Sequence, residues 1–301
     1  MIRMKLFFNS ACIAVALATA ALFTGCKGGA PEHLVIIGLD GWAGNSWELA
    51  GMPFTKSLAE NGAYTIHKRS IMPTSSGANW ATMFMGAGPE SHGYTTWWSK
   101  KPDVPPMEVN SHRIFPNFFS LLREKHPDAE MGLFYQWIGM RSTSDTLAFN
   151  ADCKFEITRE GTEAMCDSVC TYIREKKPLL TFAAWDYPDK VGHTIGWLTP
   201  EYYQELEHLD SVVTRVFKAI EEAGIADKTA LMIVSDHGGK DKKHGNGTPD
   251  EMEGVLILFG KGIKKTGEIK APVRNFDVAP TLTRLMGLPT PEIWYGKPIE
   301  L

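Results

Sequence analysis

Two uninterrupted apolar runs, each followed closely by an acid, constrain this chain more than any other feature. Residues 34–39 read LVIIGL and precede Asp40; residues 229–234 read TALMIV and precede Ser235, Asp236 and His237. A strand with one face in water alternates apolar and polar residues, so a continuous run requires cover on both faces. Apolar runs at 131–135, 179–185 and 255–259 are of the same kind. Between the runs lie stretches with helical periodicity, at 54–60, 115–125, 158–176, 200–223 and 277–286, the last stopping at Gly287. The stretch 200–223 is the longest. It opens with Thr199 as cap and Pro200 in the first turn, and Leu206, Leu209, Val213, Val216 and Ile220 recur along one face. Strands separated by helices imply right-handed crossovers and a mainly parallel sheet. The expected fold is therefore α/β, a three-layer sandwich with the active site at the carboxyl ends of the strands.

The 301 residues suit a single catalytic domain over 33–301, with the poorly periodic segments 97–114 and 136–157 as small cap loops. A formal charge of -4 argues against a nucleic acid polymer as partner. The N-terminus reads as a signal peptide over 1–25: Arg3 and Lys5 precede an apolar stretch that ends in LFTGC. That ending resembles a bacterial lipoprotein cleavage box. It implies lipidation of Cys26, a tether over 26–32, and an anchor to the membrane on the periplasmic side of the cell envelope. The plainer alternative is a secretory signal with an incidental cysteine. Cys153, Cys166 and Cys170 remain; three is odd, so at most one bridge is expected. Cys166 and Cys170 lie one helical turn apart, as a bridge or as buried thiols.

Asp40, Asp236 and His237 sit just past predicted strand ends, and so does DYPDKVGHTIG, which carries Asp189 and His193. His244 follows in KKHGNG. Asp189 and His193 are four apart, which one helical turn brings to one face. Asp236 and His237 are neighbours and converge only if the chain turns; Gly238 and Gly239 permit that. Three carboxylates and three imidazoles suit zinc, or manganese, better than calcium or copper. Six ligands are too many for one tetrahedral ion, so two divalent metal ions are expected. Singly, each element has an ordinary reading: Asp40 could cap a helix, and SDHGG could hold a structural histidine. The nearby turn PTSSGANW offers Thr74, Ser75 and Ser76 as nucleophiles or as helix caps.

Taken in order, these segments resemble the alkaline phosphatase superfamily, nearest its nucleotide pyrophosphatase/phosphodiesterase branch. LVIIGLDGW is similar to the opening metal strand and MPTSSGANWATMFMGAGPESHGYTTW to the nucleophile segment. DYPDKVGHTIG, VSDHGG and the HG at 244–245 are similar to the later ligand segments, and FDVAPTLTRLMGL to the closing helix. By position, the resemblance implies one ion on Asp189, His193 and His244 and a second on Asp40, Asp236 and His237. Ser76 falls at the nucleophile position, where the branch usually has threonine. Asn79 falls where an asparagine amide helps hold a phosphoryl oxygen. Gly77-Ala78 stands where an aromatic–proline pair is usual, which weakens the case for nucleobase stacking. The implied reaction is hydrolysis of a small-molecule phosphate ester in two displacements, through a phosphoseryl intermediate.

Charge then bears on the ester. At pH 7 a monoester brings roughly two negative charges and a diester about one. No Arg or Lys lies between Ile71 and Ser99. A diester or pyrophosphate bond is the better match unless Arg141 or Lys100 and Lys101 fold over the site. The alternatives are a phosphomonoesterase, a sulfatase, and a noncatalytic envelope lipoprotein that stacks sugars on pairs such as Trp97-Trp98. SGANW has Trp80 where sulfatase maturation requires arginine.

Overall fold

The computed structural model describes residues 29–300; the leader and Cys26 lie outside them. The described end of the tether meets the domain at once, with the Glu32 amide donating to the Lys228 carbonyl (3.0 Å).

Eight strands form one sheet: β1 (His33–Leu39), β2 (Ala63–Arg69), β3 (Met131–Tyr135), β4 (Ala151–Lys154), β5 (Leu180–Trp185), β6 (Thr229–Val234), β7 (Glu253–Gly260) and β8 (Gly267–Glu268). Their order is β4-β3-β5-β1-β6-β7-β2-β8. β4, β3, β5, β1 and β6 run parallel, while β7 is antiparallel to both its neighbours. The expected mostly parallel α/β sandwich is therefore present. β1 explains why the run needed no alternation. Leu34 and Ile36 point into one buried layer, while Val35, Ile37 and Leu39 point into the other. Each such side chain contributes about 1.5–3 kcal/mol relative to exposure. Helices Ser76–Met85, Phe118–Lys125 and Val278–Met286 cover the first layer; Pro53–Glu60, Arg159–Lys176 and Pro200–Glu222 cover the second.

Side-chain caps fix the starts of three of the flanking helices. Thr199 Oγ accepts from the Tyr202 amide (3.3 Å), with Pro200 at the first position. Thr158 Oγ accepts from Gly161 (3.0 Å). The helix expected from 115 starts at Phe118, because Asn117 caps it by accepting from Ser120 (3.0 Å).

One expectation needs correction. The segment 136–157 is not a loop: it contains a short helix, Gly139–Thr143, and the edge strand β4. β4 is four residues long and alternates half-buried with exposed side chains, so no apolar run marked it. β2 was also missed, because a bulge between Thr65 and Lys68 breaks its alternation. Cys153, Cys166 and Cys170 are all free; the Cys166 and Cys170 sulfurs lie 4.0 Å apart, so of the two readings, a bridge or buried thiols, the second holds.

Candidate active site

Strand register brings the acids together. Leu39 is level with Trp185, and Gly38 with Val234, so the residues past β1, β5 and β6 emerge side by side. Asp40 follows β1, and its amide donates to the Trp185 carbonyl (2.9 Å). Asp189 and His193 lie on the helix Tyr187–Thr194 beyond β5, as their spacing predicts. Asp236 and His237 follow β6. The chain turns there, though not through unusual dihedrals at the glycines. A Cβ on Gly238 would meet the Asp250 carbonyl at 2.2 Å, and one on Gly239 would meet the Trp197 ring at 2.1 Å. Close packing requires glycine at both positions. Gly41, at φ +68°, is the residue whose backbone demands it.

All six expected ligands converge, in two groups whose donor atoms lie within 4.8 Å of one another: Asp189, His193 and His244, and Asp40, Asp236 and His237. The three imidazoles are fixed alike. Nδ1 of His193 lies 3.0 Å from the Lys242 carbonyl and that of His237 2.8 Å from the Gly238 carbonyl, while that of His244 contacts the Thr74 carbonyl. A carbonyl only accepts, so each Nδ1 carries the proton and each Nε2 presents a lone pair. Those lone pairs face one another and the carboxylates. His244 Nε2 is 3.0 Å from His193 Nε2 and 3.5 Å from Asp189 Oδ1; His237 Nε2 is 3.2 Å from Asp236 Oδ2. Asp189 Oδ1 and Asp236 Oδ2 are buried without a hydrogen-bond partner. Acceptors crowded against acceptors are stabilised by a cation between them, so these residues fit divalent metals at a two-metal site.

The electrostatics agree. Burial, then neighbouring carboxylates, pushes Asp40 and Asp189 well above the ordinary range. Burial raises Asp236 to about 6 and lowers His237 and His244 to about 3.

Ser76 opens its helix at the same point. Its Oγ is 3.1 Å from His237 Nε2 and 3.5 Å from Asp40 Oδ1. First-turn amides of a helix lack intrahelical partners and favour an anion. Of the rival hydroxyls, Thr74 is committed, donating to the Asn246 carbonyl (2.8 Å) and accepting from the Gly245 amide (2.7 Å). Ser75 Oγ is buried without a partner. A Cβ on Gly77 would come within 2.3 Å of the Thr96 carbonyl, so the backbone at Thr96 and Trp97 packs where a larger residue would stand.

Asn79 does not match the role expected of it. Its Nδ2 donates to the Pro73 and Ser75 carbonyls (3.0 Å each), which uses both amide protons. No donor is left for a phosphoryl oxygen; the side chain braces the turn before Ser76. Arg141 is committed too, donating to Asp152 Oδ2 (2.8 Å) on β4. β4 lies three strand spacings from β1, about 14 Å. Lys100 rests over the Trp98 ring at 5.3 Å.

Two charged residues were overlooked. Asp186 groups with Asp40 and Asp189, and burial pushes its carboxyl well above the ordinary range. It closes the 180–185 run as Asp40 closes 34–39, so the same rule could have found it. Lys68 is wholly buried; burial lowers its ammonium to about 7, against the opposing pull of the Asp236 carboxylate. Alternation along β2 would have pointed His67 inward; the bulge exposes His67 and buries Lys68.

Residues 34–256 match a family described as type I phosphodiesterase / nucleotide pyrophosphatase. Ectonucleotide pyrophosphatase/phosphodiesterase family member 1 of Rattus norvegicus is 22% identical over 245 residues, covering 75% of this chain and 26% of that protein. GPI ethanolamine phosphate transferases also match, with 15% or less of their length covered in the first three. The chain thus spans well under a third of the curated relatives it matches. Among solved structures, murine ectonucleotide pyrophosphatase/phosphodiesterase 5 in an inactive form with AMP superposes at a TM-score of 0.66 and 12% identity, covering 86% of this chain and 96% of that one. A 2-O GAG sulfatase superposes at 0.69 and 15% identity, covering 90% and 73%. At these identities the two structures speak to the fold.

Proposed function

Because the chain belongs to the type I phosphodiesterase / nucleotide pyrophosphatase family, we propose that it hydrolyses phosphoric diester or pyrophosphate bonds of small molecules, with Ser76 as nucleophile beside two divalent metal ions. The observation that carries this reading is the Ser76 hydroxyl at a helix start, 3.1 Å from a ligand nitrogen of the second group. Asp189, His193 and His244 would hold one ion, and Asp40, Asp236 and His237 the other. Zinc, or manganese, fits the mixed nitrogen and oxygen donors. Such ions lower the pKa of a bound hydroxyl and offset phosphoryl charge. The protein's part is to place Ser76 in line with the ester, offer first-turn amides to the nonbridging oxygens, and exclude bulk water.

Charge favours the diester. The carboxylates of Asp40, Asp186, Asp189 and Asp236, if all ionised, cancel two divalent ions, and the one further cation beside them, Lys68, is lowered by burial to about 7, so little net positive charge is left. Arg141 and Lys100 are engaged elsewhere. A diester, with about one charge, suits such a site better than a monoester with about two. The measurement is the ratio of kcat/KM for bis-p-nitrophenyl phosphate and p-nitrophenyl phosphate. We expect the diester to lead by about tenfold or more, which is about 1.4 kcal/mol. A monoester preference overturns this reading of the substrate.

The envelope location is proposed on the leader alone, with Cys26 lipidated and the domain held at the periplasmic face. Cys26→Ser should block processing or release the protein from membranes, read by fractionation. Unchanged processing and membrane association defeat the proposal.

A further inference from the structure

Outside the six ligands, the most unusual polar group is Lys68. It is wholly buried and its Nζ donates to Asn275 Oδ1. An ammonium has donors only, so it fixes that amide with its carbonyl oxygen toward Lys68 and its NH2 away. Asn275 Nδ2 then donates to Asn79 Oδ1 (2.8 Å) and to the Asp236 carbonyl (2.9 Å). The second amide is oriented in turn. Asn79 Oδ1, which also accepts from the Ile71 amide (2.9 Å), faces Asn275, and its NH2 reaches the carbonyls of Pro73 and Ser75. Those carbonyls belong to the turn that ends at Ser76. Flipping either amide would set like atoms against each other, so the polarity imposed by one buried ammonium is passed along the series.

We propose that Lys68, Asn275 and Asn79 form a buried relay of oriented amides that locks the Ser76 turn to the backbone of the metal ligand Asp236, making Asn275 a positioning residue for the nucleophile. This rests on the reading of Ser76 as nucleophile. The relay spans the elements that must hold register for attack: the nucleophile's helix start, the end of β6, and the segment preceding the helix Val278–Met286. None of its members touches the reacting atoms.

The test uses full-length Asn275→Asp, Lys68→Met and Asn79→Ala, with Ser76→Ala in parallel. Asn275→Asp keeps size and still accepts from Lys68, but it turns carboxylate oxygen toward Asn79 Oδ1 and the Asp236 carbonyl. We expect kcat on a diester to fall about 10- to 100-fold, the scale of a small misplacement of reacting groups. KM should stay within about threefold, and metal content should match wild type. In a cycle of Asn275→Ala and Asn79→Ala, the double variant should lose little more than the worse single one, because both break the same series. Lys68→Met removes the orienting cation with a chain of similar length and should reproduce the kcat effect if Asn275→Asp does not fold. Wild-type kcat in any folded variant, lost metal, or additive losses in the cycle overturn the relay. Retained turnover in Ser76→Ala instead removes the reading beneath it, so the two failures are distinguishable.

Discussion

Ser76→Ala should lose about three orders of magnitude or more in turnover of a phosphodiester while retaining its full metal content. The loss is large because the substitution removes the bond-forming atom and leaves only the electrostatic surroundings. Retention of metal follows from the geometry: the six converging donors belong to other residues, and the imidazoles are fixed from behind by backbone carbonyls. The variant should fold, because Ser76 Oγ contacts only His237 and Asp40 and braces no backbone. Thr74 cannot take over without giving up two hydrogen bonds at the His244 loop. Ser75 is the remaining rival, since its hydroxyl is unpartnered. Acid-quenched wild-type enzyme should yield a peptide esterified at Ser76 by the phosphoryl group of the diester, with one alcohol expelled and the other retained. Near-wild-type turnover in Ser76→Ala eliminates this residue and directs the same substitution to Ser75.

The sequence disclosed the site where side-chain chemistry coincided with the end of an apolar run. Asp40 and the Asp236-His237 pair were legible because a strand's end fixes where the next residue emerges. Asp189 and His193 were legible because a four-residue step has one meaning on a helix. The same logic reaches Asp186, which closes the 180–185 run just before that helix. Lys68 was beyond reach. Its burial depends on a bulge that reverses the facing of β2, and single-strand alternation carries no trace of that. Asn79 shows a different limit. Position in a motif located the residue correctly at the nucleophile's turn, but only the hydrogen-bond network reveals that both its amide protons are spent on backbone. β4 and its Asp152 decide the fate of Arg141, and a four-residue edge strand with polar faces gives almost no periodic signal.

Chelation should abolish turnover and lower the melting temperature, and the gap between chelated and metal-loaded protein should widen as pH rises from about 5 to about 7. Without metal, Asp40, Asp186 and Asp189 hold their protons well above the ordinary 3.8, and Asp236 does so up to about 6. A carboxyl raised in the folded chain binds a proton that the unfolded chain releases. Its stabilising contribution is complete below the unfolded pKa and is lost as pH climbs through the folded one. His237 and His244, lowered to about 3, act in the opposite sense: their contribution is complete above the ordinary 6.5 and is lost as pH falls from there through the folded value of about 3. In the window the two imidazoles are neutral in the folded chain with or without metal, so they cancel from the gap and the raised carboxyls set its sign. Metal changes this balance, because ionised carboxylates and neutral imidazoles are the forms that ligate, and protons compete less at higher pH. The gap widens with pH because metal displaces the protons that the raised carboxyls hold in the chelated protein, and fewer remain to be displaced as pH climbs. The measurement is thermal melting of full-length protein at several pH values, with chelator and with added zinc or manganese, alongside metal analysis. Asp189→Asn should shrink the gap by weakening one group, with stoichiometry falling toward one equivalent. A gap that stays constant or narrows with rising pH, or loaded protein that never exceeds one equivalent, contradicts a two-metal site built on these carboxylates.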